Sequence, residues 1–193
     1  FHMKISASAP TKVILTGGVE RKIYALTVEG KVANTYIAEH LVRFIRKGNI
    51  LGTGKEYAAV VFARTVRGRD SYFLQVFDPA DLTPIWEKNV NIARDNLRAC
   101  YFDLLTADIN KDGADDIILS HGWRDNGKLS AYDKHGDKIP LPEYEWRGIT
   151  SPTYRMNRIV HVKSPSLKDE YLLGLFGNQI ITYNLDLTMR EVS

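Results

Sequence analysis

One nine-residue pattern recurs without a gap, and it limits the possible fold more than any other feature of the chain. Pro10 to Gly18 reads PTKVILTGG, and Ala114 to Gly122 reads ADDIILSHG. After each, a polar turn leads into an alternating segment, Lys22 to Lys31 (KIYALTVEGK) and Lys128 to Asp137 (KLSAYDKHGD), with a glycine at the same offset, Gly30 and Gly136. Two further copies follow the same plan. Gly48 to Ala63 leads to Ser71 to Asp78, and Lys168 to Gly177 leads to Asn178 to Asp186. A short β-branched apolar run is a buried strand and strict alternation is a half-buried one. Repeated strand pairs of this kind cannot bury their apolar faces singly, so they have to stack on one another.

The apolar runs start at Val13, Ala58, Ile117 and Tyr171, which lie 45, 59 and 54 residues apart. That period suits a four-stranded propeller blade. A first strand can be placed before each run, at Lys4–Ala7, Leu41–Ile45, Cys100–Leu105 and Arg158–Val162. A weaker fourth strand follows the alternating segment, as at Lys31–Ile37, Leu82–Trp86 and Lys138–Leu141. No segment keeps a helical period over three turns, so the expected class is all-β, a β-propeller-like domain of four antiparallel four-stranded blades over 1–193. The blades fall roughly at 4–38, 39–95, 97–150 and 155–193. They would either close on themselves or form an arc of a larger propeller, completed by another copy or by further chain.

The third copy carries the clearest chemistry. Between its first and second strands, Asp108, Asn110, Asp112 and Asp116 are spaced D-x-N-x-D-G-x-x-D, with Gly113 permitting a sharp reversal. Short carboxylate and amide side chains at alternate positions of a tight turn can point inward together, and the carbonyl of Ala114 would add an oxygen for a hard cation taking six to eight. An EF-hand is excluded, because position twelve is Leu119, where a bidentate Glu is needed, and the exit is a strand. Three carboxylates crowded in one turn repel one another, and a cation would make that turn favourable. When Gly54 is aligned on Gly113, the second copy places Asn49, Leu51, Thr53 and Tyr57 opposite the four ligands. The first copy has Lys12 opposite Asp116, and the fourth has Glu170 there with SPSL upstream. One calcium ion is therefore expected, in the third blade.

A loop of this spacing running straight into a buried strand, DINKDGADDIILSHG, resembles the FG-GAP and VCBS repeats of integrin-like β-propellers, although the closing small-residue tripeptide is only loosely echoed by Ser120, His121 and Gly122. The resemblance implies a calcium-stabilised, non-catalytic interaction module with a protein or glycan partner. It also implies an extracytoplasmic setting (secreted, periplasmic or cell surface), where calcium is abundant. Some propellers of similar repeats cleave carbohydrate with calcium at the site, so a carbohydrate-active enzyme is the alternative; Asp103 and Glu170 are its candidates only by default.

Charge adds little, since 26 basic against 23 acidic residues give a net +3, no dedicated nucleic-acid or membrane surface. The single cysteine, Cys100, cannot form an internal disulfide and reads as a buried small apolar residue. No run is long and apolar enough for a transmembrane helix, and no leader pattern is present. His40, His121, His135 and His161 lie in four segments without zinc spacing. Trp123, Arg124, Tyr144 and Trp146 sit in connections of the calcium blade, where aromatic rings beside charge suit a protein or sugar partner; packing between blades is the competing use of the rings. Arg64, Arg67 and Arg69 make the densest basic cluster and read first as a solvated hairpin tip, with an anionic glycan or acidic protein surface as the alternative.

Overall fold

The computed structural model describes residues 4–5, 14–18, 20–66, 69–90, 100–123, 126–142, 156–163, 169–176 and 179–192. Among these residues, sixteen strands form four sheets of four, each antiparallel and each ordered as in the chain. The first sheet comprises β1 (Lys4–Ile5), β2 (Ile14–Gly17), β3 (Lys22–Leu26) and β4 (Val32–Ile37). The second holds β5 (Leu41–Gly48), β6 (Tyr57–Val66), β7 (Arg69–Phe77) and β8 (Pro84–Asn89). The third holds β9 (Cys100–Ala107), β10 (Asp116–Trp123), β11 (Asn126–Tyr132) and β12 (Lys138–Ile139). In the fourth are β13 (Met156–Val162), β14 (Tyr171–Phe176), β15 (Gln179–Tyr183) and β16 (Met189–Val192). No helix occurs among the described residues. The chain forms two compact units, Phe1–Asn96 with the first two sheets and Leu97–Ser193 with the last two.

In the second sheet the second strand is the most buried element, and its sequence shows why. In β6, Ala58, Ala59, Val60, Val61, Phe62 and Ala63 are all at most 5% exposed, so both faces are covered and the run is apolar at every position. Edge strands behave differently. In β4 and β8 every second residue is exposed, the pattern of a strand with one face in water. Pro84 opens β8, a position where its missing N–H costs no ladder bond.

Within the first unit, Leu15, Ile23 and Ala25 of the first sheet pack against Ala58, Val60, Phe62 and Phe77 of the second. Phe77 meets Tyr36 edge-on at 4.8 Å. Gly17 marks a close approach there, since a Cβ at that position would lie 2.7 Å from Val42 Cγ1. Within the second unit, Ala107, Ile118 and Ala131 pack with Ile159, Leu172, Ile181 and Tyr183. Asp103, 2% exposed, ties those two sheets together by accepting the Ile159 N–H through Oδ2 at 3.1 Å.

The turns joining third and fourth strands share one left-handed position but not one residue type. Gly30 (φ 80°) and Gly136 (φ 75°) donate to Thr27 O and Asp133 O at 2.9 Å. In the other two sheets Leu82 (φ 61°) and Leu187 (φ 64°) occupy the left-handed position, donating to Asp78 O and Asn184 O. Their side chains are 3% and 0% exposed, so core burial holds each leucine where glycine is favoured. Leu82 therefore lies in the turn, and the strand expected from Leu82 begins at Pro84.

Leu187→Gly should relieve about 1 kcal/mol of backbone cost while losing about 2–5 kcal/mol of buried side chain. Urea unfolding should show a net loss of about 2 kcal/mol. An unchanged or higher stability would mean that backbone strain outweighs burial at this turn.

Candidate functional site

The loop joining β9 to β10 is tied by the four side chains singled out in its sequence, and each accepts hydrogen bonds from the loop's own amides. Asp108 accepts the Asp112 N–H at 3.1 Å and the Gly113 N–H at 3.0 Å. Asn110 Oδ1 accepts the Asp112 N–H at 2.9 Å, and Asp112 Oδ1 accepts the Ala114 N–H at 2.9 Å. Asp116 Oδ2 accepts from Ile109 and Asn110 N–H at 3.1 and 3.3 Å. Lys111 (φ 61°) and Gly113 (φ 85°) supply the two left-handed residues that close the turn.

Asp116 is 1% exposed, and burial pushes its carboxyl up to about 6. The two backbone N–H bonds pull the other way, and the charges of Asp112 and Asp108 raise it further. Asp112 sits below the usual carboxylate range, held there by the Ala114 N–H and then by Lys134, whose Nζ donates to Oδ2 at 3.1 Å. The donor chemistry, hard oxygens on a short loop, matches what calcium or magnesium requires. The arrangement is turned inward, however. Asn110 offers its Nδ2 to Asp116 Oδ1 at 3.4 Å, and Lys134 supplies a positive charge to the loop. Among the described residues, no three acidic or histidine side chains gather on one point.

The corresponding turn between β5 and β6 has the same backbone. Asn49 Oδ1 accepts the Gly54 N–H at 2.8 Å, five residues on, as Asp108 accepts that of Gly113. Gly54 (φ 77°) matches Gly113. Where Asp116 stands in the third sheet, the second sheet has Tyr57, with the Lys55 ammonium 5.5 Å from its ring centre. The equivalent turns of the first and fourth sheets, with Lys12 and the SPSL segment, lie outside the described residues.

The other residues singled out are scattered. Trp123, expected in a connection, is instead the last residue of strand β10, paired with Asn126. Arg124, Tyr144, Trp146 and Arg67 lie outside the described residues, as do the side chains of Cys100, Trp123 and Arg69. Arg64 is exposed near the end of β6. Glu170 accepts from Lys163 Nζ at 3.0 Å and contacts His161 Nε2 at 3.2 Å, a surface ion cluster. His121 Nε2 lies 2.7 Å from Ser130 Oγ in a buried pair.

The fold is of the β-propeller class. No family model and no curated protein matches the sequence. Solved propellers are similar in structure: BBS1N in complex with ARL6DN gives a TM-score of 0.64 at 12% identity, over 99% of this chain and 53% of that one. The Dos1 propeller gives 0.57 at 10% identity, over 99% and 50%. BamB from Moraxella catarrhalis gives 0.52 at 13%, over 99% and 51%. The chain thus spans about half the length of these propellers, and at such identities the likeness concerns the fold alone.

The shift at Asp116 sets a pH dependence. Its folded value lies above the unfolded 3.8, so the stability its protonated form contributes is present below pH 3.8 and lost as the pH rises through about 6. In chelator, Asp116→Asn should flatten the fall in melting temperature between pH 4 and 7, a contribution on the order of 3 kcal/mol. Parallel curves for the two proteins would place the pH dependence elsewhere.

Proposed function

We propose that this chain is a non-catalytic interaction module whose partner is a protein, built from FG-GAP/VCBS-type blades and stapled by one calcium ion. The observation that carries the reading is its likeness, over nearly all of its length, to propellers including one solved in complex with another protein. In this reading the sheets spend their apolar faces on the cores, and the connections between strands are left to carry recognition. No catalytic role is assigned to Asp103 or Glu170. Asp103 caps a neighbouring sheet's N–H and Glu170 serves a surface ion cluster.

Asp108, Asn110, Asp112, Asp116 and the carbonyl of Ala114 would hold the ion. Calcium would supply the charge that three carboxylates in one turn lack. To admit it, Asn110 has to present Oδ1 in place of Nδ2, and Lys134 has to release Asp112. A site that gives up an ion pair on binding is weak, which suits a calcium-rich, extracytoplasmic compartment. Lys134→Gln should therefore bind calcium several-fold more tightly than the parent in calorimetry, with one site per chain, and Asp112→Ala should abolish binding. Equal affinity for parent and Lys134→Gln, or two sites per chain, would contradict this account.

The partner is tested directly. Immobilised chain should retain a protein from a lysate of its source. That protein, purified, should rebind at one to one in calorimetry. Hydrolysis of a glycan by the isolated chain, with no protein retained, would replace the interaction module with an enzyme.

A further inference from the structure

Arg21 and Arg64 are far apart in sequence, yet the first unit brings them to one cavity of about 330 Å³, lined also by Glu39, His40, Leu41 and Ala63. Both arginines are exposed, and neither is paired with a carboxylate among the described residues. Two guanidinium groups against the one carboxylate of Glu39 leave the lining of this cavity net positive, which favours an anion with planar oxygens. The walls are held in place. Arg21 stands in the left-handed region (φ 56°); its N–H donates to Gly18 O at 3.3 Å and its carbonyl accepts the Ala38 N–H at 2.8 Å. That second bond ties Arg21 to the residue just before Glu39 and His40. The His40 ring stacks on Phe73 with centres 5.0 Å apart.

A second cavity, of about 220 Å³, adjoins the first across Glu39 and His40 and adds Tyr36, Gln75 and Glu87. Charge therefore changes along the pair, from two arginines at one end, through Glu39 on the shared wall, to Glu87 at the other. A polyanion would meet repulsion at the acidic end. A chain with a carboxylate at one position and a cation or amide a short distance on meets a complementary charge at both.

Resting on the reading that the partner is a protein, we propose that this double cavity is the recognition site, and that it takes a peptide segment with an acidic side chain followed closely by a basic one. Arg21 and Arg64 would clamp the carboxylate, Glu87 and Glu39 would face the cation, and Gln75 and Tyr36 would serve the intervening amides.

The test uses the whole chain and three probes: Ac-Gly-Glu-Gly-Lys-Gly-NH2, the same peptide with Gln at both charged positions, and a heparin octasaccharide. In amide NMR titrations the Glu/Lys peptide should shift Arg21, Glu39, His40, Leu41 and Arg64, and binding should weaken with salt. Arg21→Gln with Arg64→Gln should weaken it at least about tenfold, the loss of roughly one charge-assisted contact. The core amides of the first unit, such as those of Leu74 and Val76, should keep their positions in the variant, which reports that it is folded. Glu87→Gln should remove the preference for Lys over Gln at the second charged position. Equal binding of the Gln peptide, shifts away from these residues, or no shift at millimolar peptide would overturn the assignment. Preferential heparin binding lost in the double arginine variant would overturn it in favour of an anionic glycan site. If a captured protein partner stays bound to the double variant, the site is wrong while the interaction module stands; if the peptide binds here but no protein is ever retained, the reverse holds.

Discussion

Burial of β6 and β10, the second strands of their sheets, on both faces is the constraint on which the rest depends. A strand such as β6, apolar at six consecutive positions, cannot sit at the surface of an open sheet without exposing several kcal/mol of transfer free energy. It needs a hydrogen-bonded strand on either side and a packed layer on either face. Meandering sheets of four meet the first need. Stacking meets the second, as Val60 and Phe62 show against Leu15, Ile23 and Ala25, and Ile118 against Leu172 and Ile181. Where the stack is tightest even a methyl group is too large, as at Gly17 beside Val42.

Much of this was legible because the signal is local and repeated. The apolar runs at Ala58, Ile117 and Tyr171 are central strands within a residue or two, and the alternating segments are their hairpin partners. Aligning Gly54 on Gly113 correctly paired two loops with the same backbone, seen in the matched Asn49–Gly54 and Asp108–Gly113 bonds. The acid lost from the second loop leaves a tyrosine with a lysine over its ring, so the two turns reach charge balance differently.

What was not legible depends on tertiary placement. Leu82 reads as the start of a strand and Leu187 draws no reading at all, because nothing local marks a leucine for a left-handed turn. Only the pocket awaiting the side chain does so. Lys134 carries no signal toward Asp112 in the sequence, since the two meet only when the β11–β12 turn folds beside the loop. The basic cluster around Arg64 was visible, but Arg21, the arginine that completes the cavity, comes from another sheet. Charge clusters read along a chain find one wall of a site and miss the wall that folding adds.

The two kinds of third-to-fourth-strand turn have a consequence for the order of events in folding. A turn with Gly30 or Gly136 at its left-handed position can close on its own, from local backbone preference. A turn with Leu82 or Leu187 there is locally disfavoured and gains only once the leucine reaches its core cluster, so it has to wait for neighbouring strands to assemble. Each compact unit holds one turn of each kind. In each, therefore, one sheet carries a hairpin able to nucleate and the other carries one that locks last, an order that requires φ-values near zero at both leucines.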